Sequence, residues 1–379
     1  MKIIKTFPRK VKEIIHAEIP LKDGTRLAAR IWLPSDAVKN PVPAILEYLP
    51  YRKRDGTHVR DQLTHPYFAG HGYAGVRVDM RGNGDSEGVM LDEYVKQEQD
   101  DALEVIEWLV AQEWCSGSVG MMGISWGGFN GLQVAARKPK ALKAVISLCS
   151  TDDRYEDDIH YKGGTLLNEN LGWAATMLSY SSRPPDPELV GRKWKKMWMQ
   201  RLEAEPFLLI PWLEHPHRDA YWKHGSICED WNAVECPVLL VGGWNDAYSN
   251  AIPRMMAGLK VPCKAIIGPW AHKYPHFAVP EPRIGFLQEA LRWWDKWLKS
   301  IETGVEKDPA LRTYVMDAYR PGGFPSSIEG RWVADESWPG RTVANRRYFL
   351  NATGLGEAPV NSGTRVVSSP QTTGQDGGE

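Results

Sequence analysis

A hydroxyl, a carboxylate and an imidazole occur in this sequence where a folded chain can bring them together. Ser125 lies in Gly123-Ile124-Ser125-Trp126-Gly127, which follows the apolar run Val119-Gly120-Met121-Met122 and opens a helix-like stretch from Gly128 to Arg137. In G-x-S-x-G at a strand-to-helix junction, the turn is so sharp that the serine is strained and its hydroxyl exposed. A Cβ on either flanking glycine would collide with the neighbouring strand or helix. A serine hydroxyl is nearly inert at neutral pH, so it needs a general base and a carboxylate to orient that base. Asp246 ends Gly242-Gly243-Trp244-Asn245-Asp246 after the run Pro237 to Val241, and His272 ends Gly268-Pro269-Trp270-Ala271-His272 after Lys264 to Ile267. Taken singly, Asp246 reads equally as a cap for a helix near Ser249, and His272 as an ordinary loop histidine. Both in order after consecutive strands, behind an elbow, point to His272 as general base and later general acid. Asp246 then holds the imidazole tautomer.

Acyl transfer also needs donors for a tetrahedral oxyanion. The Trp126 backbone amide, next after the nucleophile, is one. Tyr51, in Leu49-Pro50-Tyr51-Arg52-Lys53 after the run Ala44 to Tyr48, reads either as a second donor or as pocket packing. Trp126, Trp173, Trp244 and Trp270 are expected to wall an apolar acyl or aromatic pocket. The stretch Cys149 to His160 contains Asp152, Asp153, Asp157, Asp158 and His160. Carboxylates at a pocket mouth would bind a substrate ammonium. The favoured reading is a solvated segment with some carboxylates paired to Arg154 or Lys162, since charge runs usually face water.

The run Asp79 to Gly88 lacks G-x-x-x-x-G-K spacing, and its acids would repel phosphate, so a structural turn with Arg81 paired to a carboxylate is expected. No metal site is expected. His160, His215, His217 and His276 lack a suitable pattern, and although His272 and His276 are four apart, no Glu accompanies them and Pro275 breaks the helix that would align them.

The positioning elements follow from periodicity. Ile15 to Pro34 reads as a hairpin about Asp23-Gly24. Strand-like runs follow at Ala44–Tyr48, Ala74–Val78, Val119–Ile124 and Lys143–Cys149. Gln99 to Gln112 is an amphipathic helix with Ala102, Val105, Ile106, Leu109 and Val110 on one face. Strands alternating with helices predict an α/β fold with a mostly parallel sheet. The alternation breaks over 151–234, read as a helical cap inserted between two halves of one sheet domain (1–150 and 235–305). It resumes at Pro237, with an amphipathic helix at about Leu287 to Lys299. From Glu306 the texture is β-like, so 306–379 reads as a β domain too short to close a sandwich.

Composition is that of a globular protein, at 42% hydrophobic and 25% charged residues. A net charge of −1 gives no global field to attract nucleic acid or anionic lipid. No run approaches the roughly 20 apolar residues of a membrane span. The basic start, Met1 to Lys10, lacks a signal-peptide core. Five cysteines (Cys115, Cys149, Cys228, Cys236, Cys263) without C-x-x-C spacing read as reduced, mostly buried thiols of a cytoplasmic protein. Neither a nucleic-acid nor a membrane partner is expected, and a homo-oligomer is left open.

Pro50-Tyr51-Arg52-Lys53, the Asp79–Gly88 run, Gly123-Ile124-Ser125-Trp126-Gly127-Gly128, Gly243-Trp244-Asn245-Asp246 and Gly268-Pro269-Trp270-Ala271-His272 stand in one order. Together they resemble the CocE/NonD hydrolases of the α/β-hydrolase superfamily. Relatives there include cocaine esterase, α-amino acid ester hydrolases, cephalosporin acylases and X-prolyl dipeptidyl peptidases. The resemblance covers nearly the whole chain. It implies an α/β-hydrolase domain, a helical cap and a C-terminal jelly roll, here shorter than the family's, so that the chain reads as truncated or a fragment. It also implies a cofactor-free acyl-serine mechanism on a small ester or amide, with Ser125, Asp246 and His272 in the triad roles. Tyr51 takes the oxyanion-tyrosine position beside the Trp126 amide. An ester hydrolase is the leading expectation, an X-prolyl dipeptidyl peptidase or acylase cutting an amide the second, and a non-catalytic hydrolase-fold binding protein the third.

Overall fold

The computed structural model describes residues 4–368 except 5, 321, 342, 361, 362, 365 and 367. Ten strands form one sheet. They are β1 (Val11–Pro20), β2 (Arg26–Pro34), β3 (Val42–Leu49), β4 (Ala74–Asp79), β5 (Cys115–Ile124), β6 (Leu142–Leu148), β9 (Val238–Gly243), β10 (Cys263–Gly268), β11 (Leu311–Met316) and β12 (Gly330–Asp335). The short pair β7 (Tyr161–Lys162) and β8 (Thr165–Leu166) stands apart. The spatial order is β1-β2-β4-β3-β5-β6-β9-β10-β11-β12. The predicted hairpin is β1–β2, and β2 runs antiparallel to β4. From β4 through β11 every neighbour is parallel. Residues of β3 and β4 are buried throughout, as expected of strands covered by helices on both faces.

The helices preceding the insertion are α1 (His58–Gln62), α2 (His65–Gly70), α3 (Lys96–Val110) and α4 (Trp126–Ala136). The apolar face of α3 is buried as its periodicity requires, except that Val110 at the last turn is exposed. Between β6 and β9 lie α5 (Glu169–Ser181), α6 (Pro187–Val190), α7 (Trp194–Ala204), α8 (Leu209–Glu214) and α9 (Ala220–Lys223). The alternation then resumes with α10 (Ala251–Gly258) and α11 (Phe286–Lys299). In α11, Phe286, Ala290, Trp293, Trp294 and Leu298 bury one stripe.

The insertion is pinned by arginine donors on backbone carbonyls. Arg201 of α7 binds Gly84 O (3.0 Å) and Ser86 O, and Arg52 binds Pro184 O (2.8 Å). The Asp79–Gly88 run is the structural turn its composition suggested. Arg81 pairs with Asp101 at 2.7 and 2.8 Å, and Asp79 accepts the Lys53 amide at 2.6 Å.

The sequence assigned everything after Glu306 to a separate β unit. Instead, β11 hydrogen-bonds parallel to β10, and β12 antiparallel to β11, so both extend the central sheet. A second compact unit begins at Pro339, and in it β13 (Phe349–Asn351) and β14 (Gly354–Gly356) make a hairpin. All five cysteines are free, but only Cys149 is fully buried and the other four are half-buried, fewer than expected. Among the described residues, no helix is long and apolar enough to cross a membrane.

Candidate active site

Five adjacent parallel strands, β3, β5, β6, β9 and β10, carry Tyr51, Ser125, Cys149, Asp246 and His272 just beyond their C-terminal ends. That is the edge at which open α/β sheets bind ligands. Ser125 sits between β5 and α4 at φ 58°, ψ −126°, a strained conformation for a residue with a Cβ. The flanking glycines are forced by contact. A Cβ at Gly123 would lie 2.5 Å from Gly127 Cα, and one at Gly127 would lie 2.7 Å from Leu49 Cδ2. Trp126 is the first residue of α4, so its amide has no acceptor within the helix and is free for a ligand oxygen.

His272 Nδ1 lies 2.9 Å from Asp246 Oδ1. An ionised carboxylate only accepts, so Nδ1 carries the hydrogen and Nε2 keeps a lone pair. The Asp246 side chain is 3% exposed and that of His272 42%, so a buried carboxylate aims a ring that reaches solvent. The Ser125 hydroxyl is not hydrogen-bonded to His272; its neighbour is the Tyr51 hydroxyl. Catalytic contacts of this kind are often long without substrate. Burial pushes the Tyr51 phenol well above its usual pKa, Glu93 adds to this, and the Ser125 contact opposes it. Tyr51 therefore stays a neutral donor.

Tyr51 packs edge-on against Trp126 and Trp173, with centroids 6.3 and 6.2 Å away, and tilts against Tyr180 at 5.5 Å. Trp173 reaches this cluster from α5, its indole donating to Glu93 Oε1 at 3.0 Å. Trp244 and Trp270 do not join it. The Trp244 indole donates to Tyr314 O on β11 (2.8 Å), and Trp270 is buried with its indole on Pro282 O (2.8 Å). Both indoles are taken by backbone carbonyls.

The acidic segment is not solvated. Asp152, Asp153, Asp157, Asp158 and His160 are all buried. Arg254 holds Asp152 (2.9 Å to each oxygen) and Asp157 (3.1 Å), and Arg218 holds Asp153 (2.8 Å). Lys162 does pair with Asp157 (3.0 Å), as expected. Arg154 instead donates to Tyr221 O and His224 O. The partners come from helices and loops far along the chain, invisible to a local count of charge. His160 is clamped between Glu93 (2.6 Å) and Asn170 (2.8 Å). Asp158 differs from the rest. Its Oδ1 accepts from Tyr248 (3.0 Å), its Oδ2 has no partner, and burial, opposed by His160, raises its pKa to about 6. The Tyr248 ring in turn packs 5.9 Å from that of His272.

Three buried groups about the site carried no signal in the sequence. Glu47, in the apolar run of β3, accepts from Arg60 (2.7 Å), His65 (3.0 Å) and Tyr274 (2.9 Å). Burial alone would raise its carboxyl, but Arg60, His65 and Arg77 outweigh this and hold it at about 2. Cys149, at φ 47°, sets its thiol against Asp246, whose Oδ2 is buried without another partner. Glu98 lies one residue ahead of the helix expected from Gln99; the structure puts it in the first turn of α3 and inside the protein, on the Trp126 indole. Among the described residues, two clusters have metal-ligating geometry, Cys149/Asp246/His272 and Glu47/Asp61/His65. The second is crossed by the Arg60 and Arg77 guanidiniums. In the first, burial keeps the thiol protonated and the facing imidazole nitrogen is hydrogen-bonded to Asp246.

Residues 23–274, more than half of the chain, match the family described as X-Pro dipeptidyl-peptidase (S15 family). The chain is 28% identical over 393 residues to the cocaine esterase of Rhodococcus sp. (strain MB1 Bresler), covering 94% of this chain and 66% of that one. A CocE/NonD family hydrolase from Staphylococcus aureus superposes with a TM-score of 0.72 at 18% identity, over 93% of this chain and 64% of that one. An α-amino acid ester hydrolase gives 0.66 at 20% identity, over 96% and 66%. These likenesses bear out the α/β-hydrolase fold, and the chain spans just under two thirds of each of these proteins. With the elbow, the five strand ends and this match in place, the chain belongs to the X-Pro dipeptidyl-peptidase (S15) family.

Proposed function

We propose that the protein is a serine hydrolase that cleaves carboxylic esters through an acyl-serine intermediate. The observation that carries the reading is the Asp246–His272 pair, 2.9 Å apart, on the same sheet edge as the strained Ser125. His272 Nε2 takes the Ser125 hydroxyl proton as Oγ attacks the acyl carbon. The Trp126 amide and Tyr51 hydroxyl receive the developing oxyanion. Collapse breaks the bond to the leaving group, which departs as an alcohol protonated by His272. A water deprotonated by the same nitrogen then releases the acid and restores Ser125. The partly exposed Tyr51, Trp173 and Tyr180 rings, with the buried Trp126 ring packed behind Tyr51, supply an apolar wall suited to an acyl or aromatic group. The five free thiols fit a reducing, cytoplasmic setting.

A second reading, cleavage of an amide in a substrate with a free α-amino group, is favoured by one observation. Asp158 keeps an unpartnered carboxylate oxygen behind Tyr248, whose ring packs against that of His272. An ammonium there would satisfy it. A panel of p-nitrophenyl esters and amino-acyl p-nitroanilides, run on wild type and Ser125→Ala, separates the readings. Ester turnover lost in the variant supports the first, preference for free α-amino substrates the second, and full activity in Ser125→Ala overturns both. A catalytically silent binding protein would leave a fluorophosphonate probe unreacted.

A further inference from the structure

Beneath the elbow, Trp126 and Asn130 of α4 and Tyr94 ahead of α3 converge on one buried carboxyl, that of Glu98. Glu98, in the first turn of α3 and 4% exposed, accepts from the Trp126 indole Nε1 at 2.8 Å and the Asn130 amide at 3.4 Å through Oε1. Its Oε2 accepts the Tyr94 amide at 3.0 Å. Asn130, wholly buried one turn after Trp126, donates more tightly to Tyr48 O, at 2.6 Å. Tyr48 lies on β3, three residues before Tyr51. The knot therefore touches both chain segments that bear the oxyanion donors of the proposed mechanism, the start of α4 and the end of β3.

A buried acid is costly unless each oxygen is matched, and an apolar residue would fill the same volume without that cost. Packing alone does not call for a carboxyl here. The Trp126 indole, fully buried and lying against Tyr51 and Tyr94, has Glu98 as its hydrogen-bond acceptor. Without it the indole N–H is left unsatisfied in the interior. The ring must then rotate or sink, and the Trp126 Cα and amide move with it. An oxyanion donor works only within a few tenths of an ångström of its place, because the charge it meets develops only in the transition state.

We infer that Glu98 is a positioning residue for the oxyanion site: by holding the Trp126 indole, and through Asn130 the end of β3, it fixes the spacing between the Trp126 amide and Tyr51. The inference rests on the acyl-serine reading. Burial also raises the Glu98 carboxyl to about 8, opposed by the Trp126 and Asn130 donors, so near neutral pH the knot holds a neutral acid and no net charge is forced beside the oxyanion.

The test compares wild type, Glu98→Ala, Glu98→Gln, Trp126→Phe and the Glu98→Ala/Trp126→Phe double variant on a p-nitrophenyl ester, with Ki for phenylboronic acid and urea unfolding of each. Trp126→Phe keeps the backbone amide and removes the indole N–H together with part of the ring volume of a fully buried side chain, so its activity is read against its own urea midpoint. It and Glu98→Ala are expected to lower kcat on the order of tenfold with KM within about twofold, and to weaken the boronate, which forms a tetrahedral anion, by a similar factor. The double variant should be no worse than the poorer single one. Glu98→Gln keeps an acceptor for the indole but turns its –NH2 toward the Tyr94 N–H. It should lose stability yet stay within about threefold of wild type in kcat. Should Glu98→Ala not fold, Trp126→Phe and Glu98→Gln carry the comparison alone. Wild-type kcat and boronate affinity in Trp126→Phe, multiplying losses in the double variant, or kcat that tracks stability across the set overturns the inference. Ser125→Ala keeps the two claims apart. An active Ser125→Ala fails the mechanism, whereas a dead Ser125→Ala beside an unimpaired Trp126→Phe fails only the positioning role.

Discussion

Tyr274 donates its hydroxyl to Glu47 at 2.9 Å, joining residues 227 apart in sequence. Tyr274 lies two residues beyond His272, and Glu47 lies on β3 four residues before Tyr51. One buried hydrogen bond thus ties the loop of the proposed base to the strand of the proposed oxyanion tyrosine. The same loop is stitched by Ala271 N to Val279 O (2.8 Å) and to the β9 loop by Asn245 to Pro269 O (2.7 Å).

Tyr274→Phe removes that bond and leaves the cavity filled. Glu47 keeps Arg60 and His65, and the expected cost is about 1.5–3 kcal/mol by urea unfolding, the range for a lost bond to a charged group. The loosened His272 loop should lower kcat several-fold. Unchanged kcat with lowered stability would show that Tyr274 does not position the histidine.

Asp246→Asn should abolish most turnover. An amide can donate to His272 Nδ1, which forces the proton onto Nε2 and removes the lone pair that the proposed mechanism uses to take the serine proton. A loss of about 10⁴-fold in kcat is expected, the scale seen where this swap reverses the tautomer in a serine protease. Steady-state kinetics with folding checked by circular dichroism measures it.

The two elbow glycines should differ in tolerance. An added Cβ at Gly123 meets backbone, Gly127 Cα at 2.5 Å, whereas one at Gly127 meets the end of the Leu49 side chain at 2.7 Å. Leu49 can rotate and backbone cannot, so Gly123→Ala should cost about 3 kcal/mol or more and Gly127→Ala distinctly less. Thermal unfolding of both gives the order, and the reverse order contradicts the elbow contacts.

Two buried glutamates act on pH stability with opposite sign. Glu47, held at about 2 against an ordinary 4.5, contributes stability that is complete above 4.5 and is lost as pH falls toward 2. Glu98, raised to about 8, keeps its proton in the folded state where the unfolded chain has lost it. Its effect is fully present below 4.5 and fades as pH rises through 8. Urea midpoints between pH 5 and 8 should fall with pH less steeply in Glu98→Gln than in wild type.

Periodicity and turn chemistry were enough to locate the hairpin, the parallel strands, the elbow and the two loops after β9 and β10, because each is a local pattern. Val110 failed only at a helix end, where the stripe runs out of core to face. The strands after Glu306 were recognisable, but their attachment to β10 was not, since edge pairing depends on where a strand returns in space. Partners at long range were equally hidden. Arg254 lies 102 residues from Asp152, and nothing near Asp152 announces it. Glu98 is the sharpest case: periodicity starts the helix at Gln99 and leaves Glu98 outside it, and only packing shows its carboxyl turned inward to Trp126.

The central claim is that Ser125 is a nucleophile activated by the His272–Asp246 pair. The direct measurement is intact-protein and peptide mass spectrometry after brief exposure to a fluorophosphonate, on wild type, Ser125→Ala and His272→Ala. One adduct is expected in wild type, on Ser125, none in Ser125→Ala, and labelling slowed by at least about a hundredfold in His272→Ala. An adduct that persists in Ser125→Ala, or one that forms at the wild-type rate without His272, would contradict the claim.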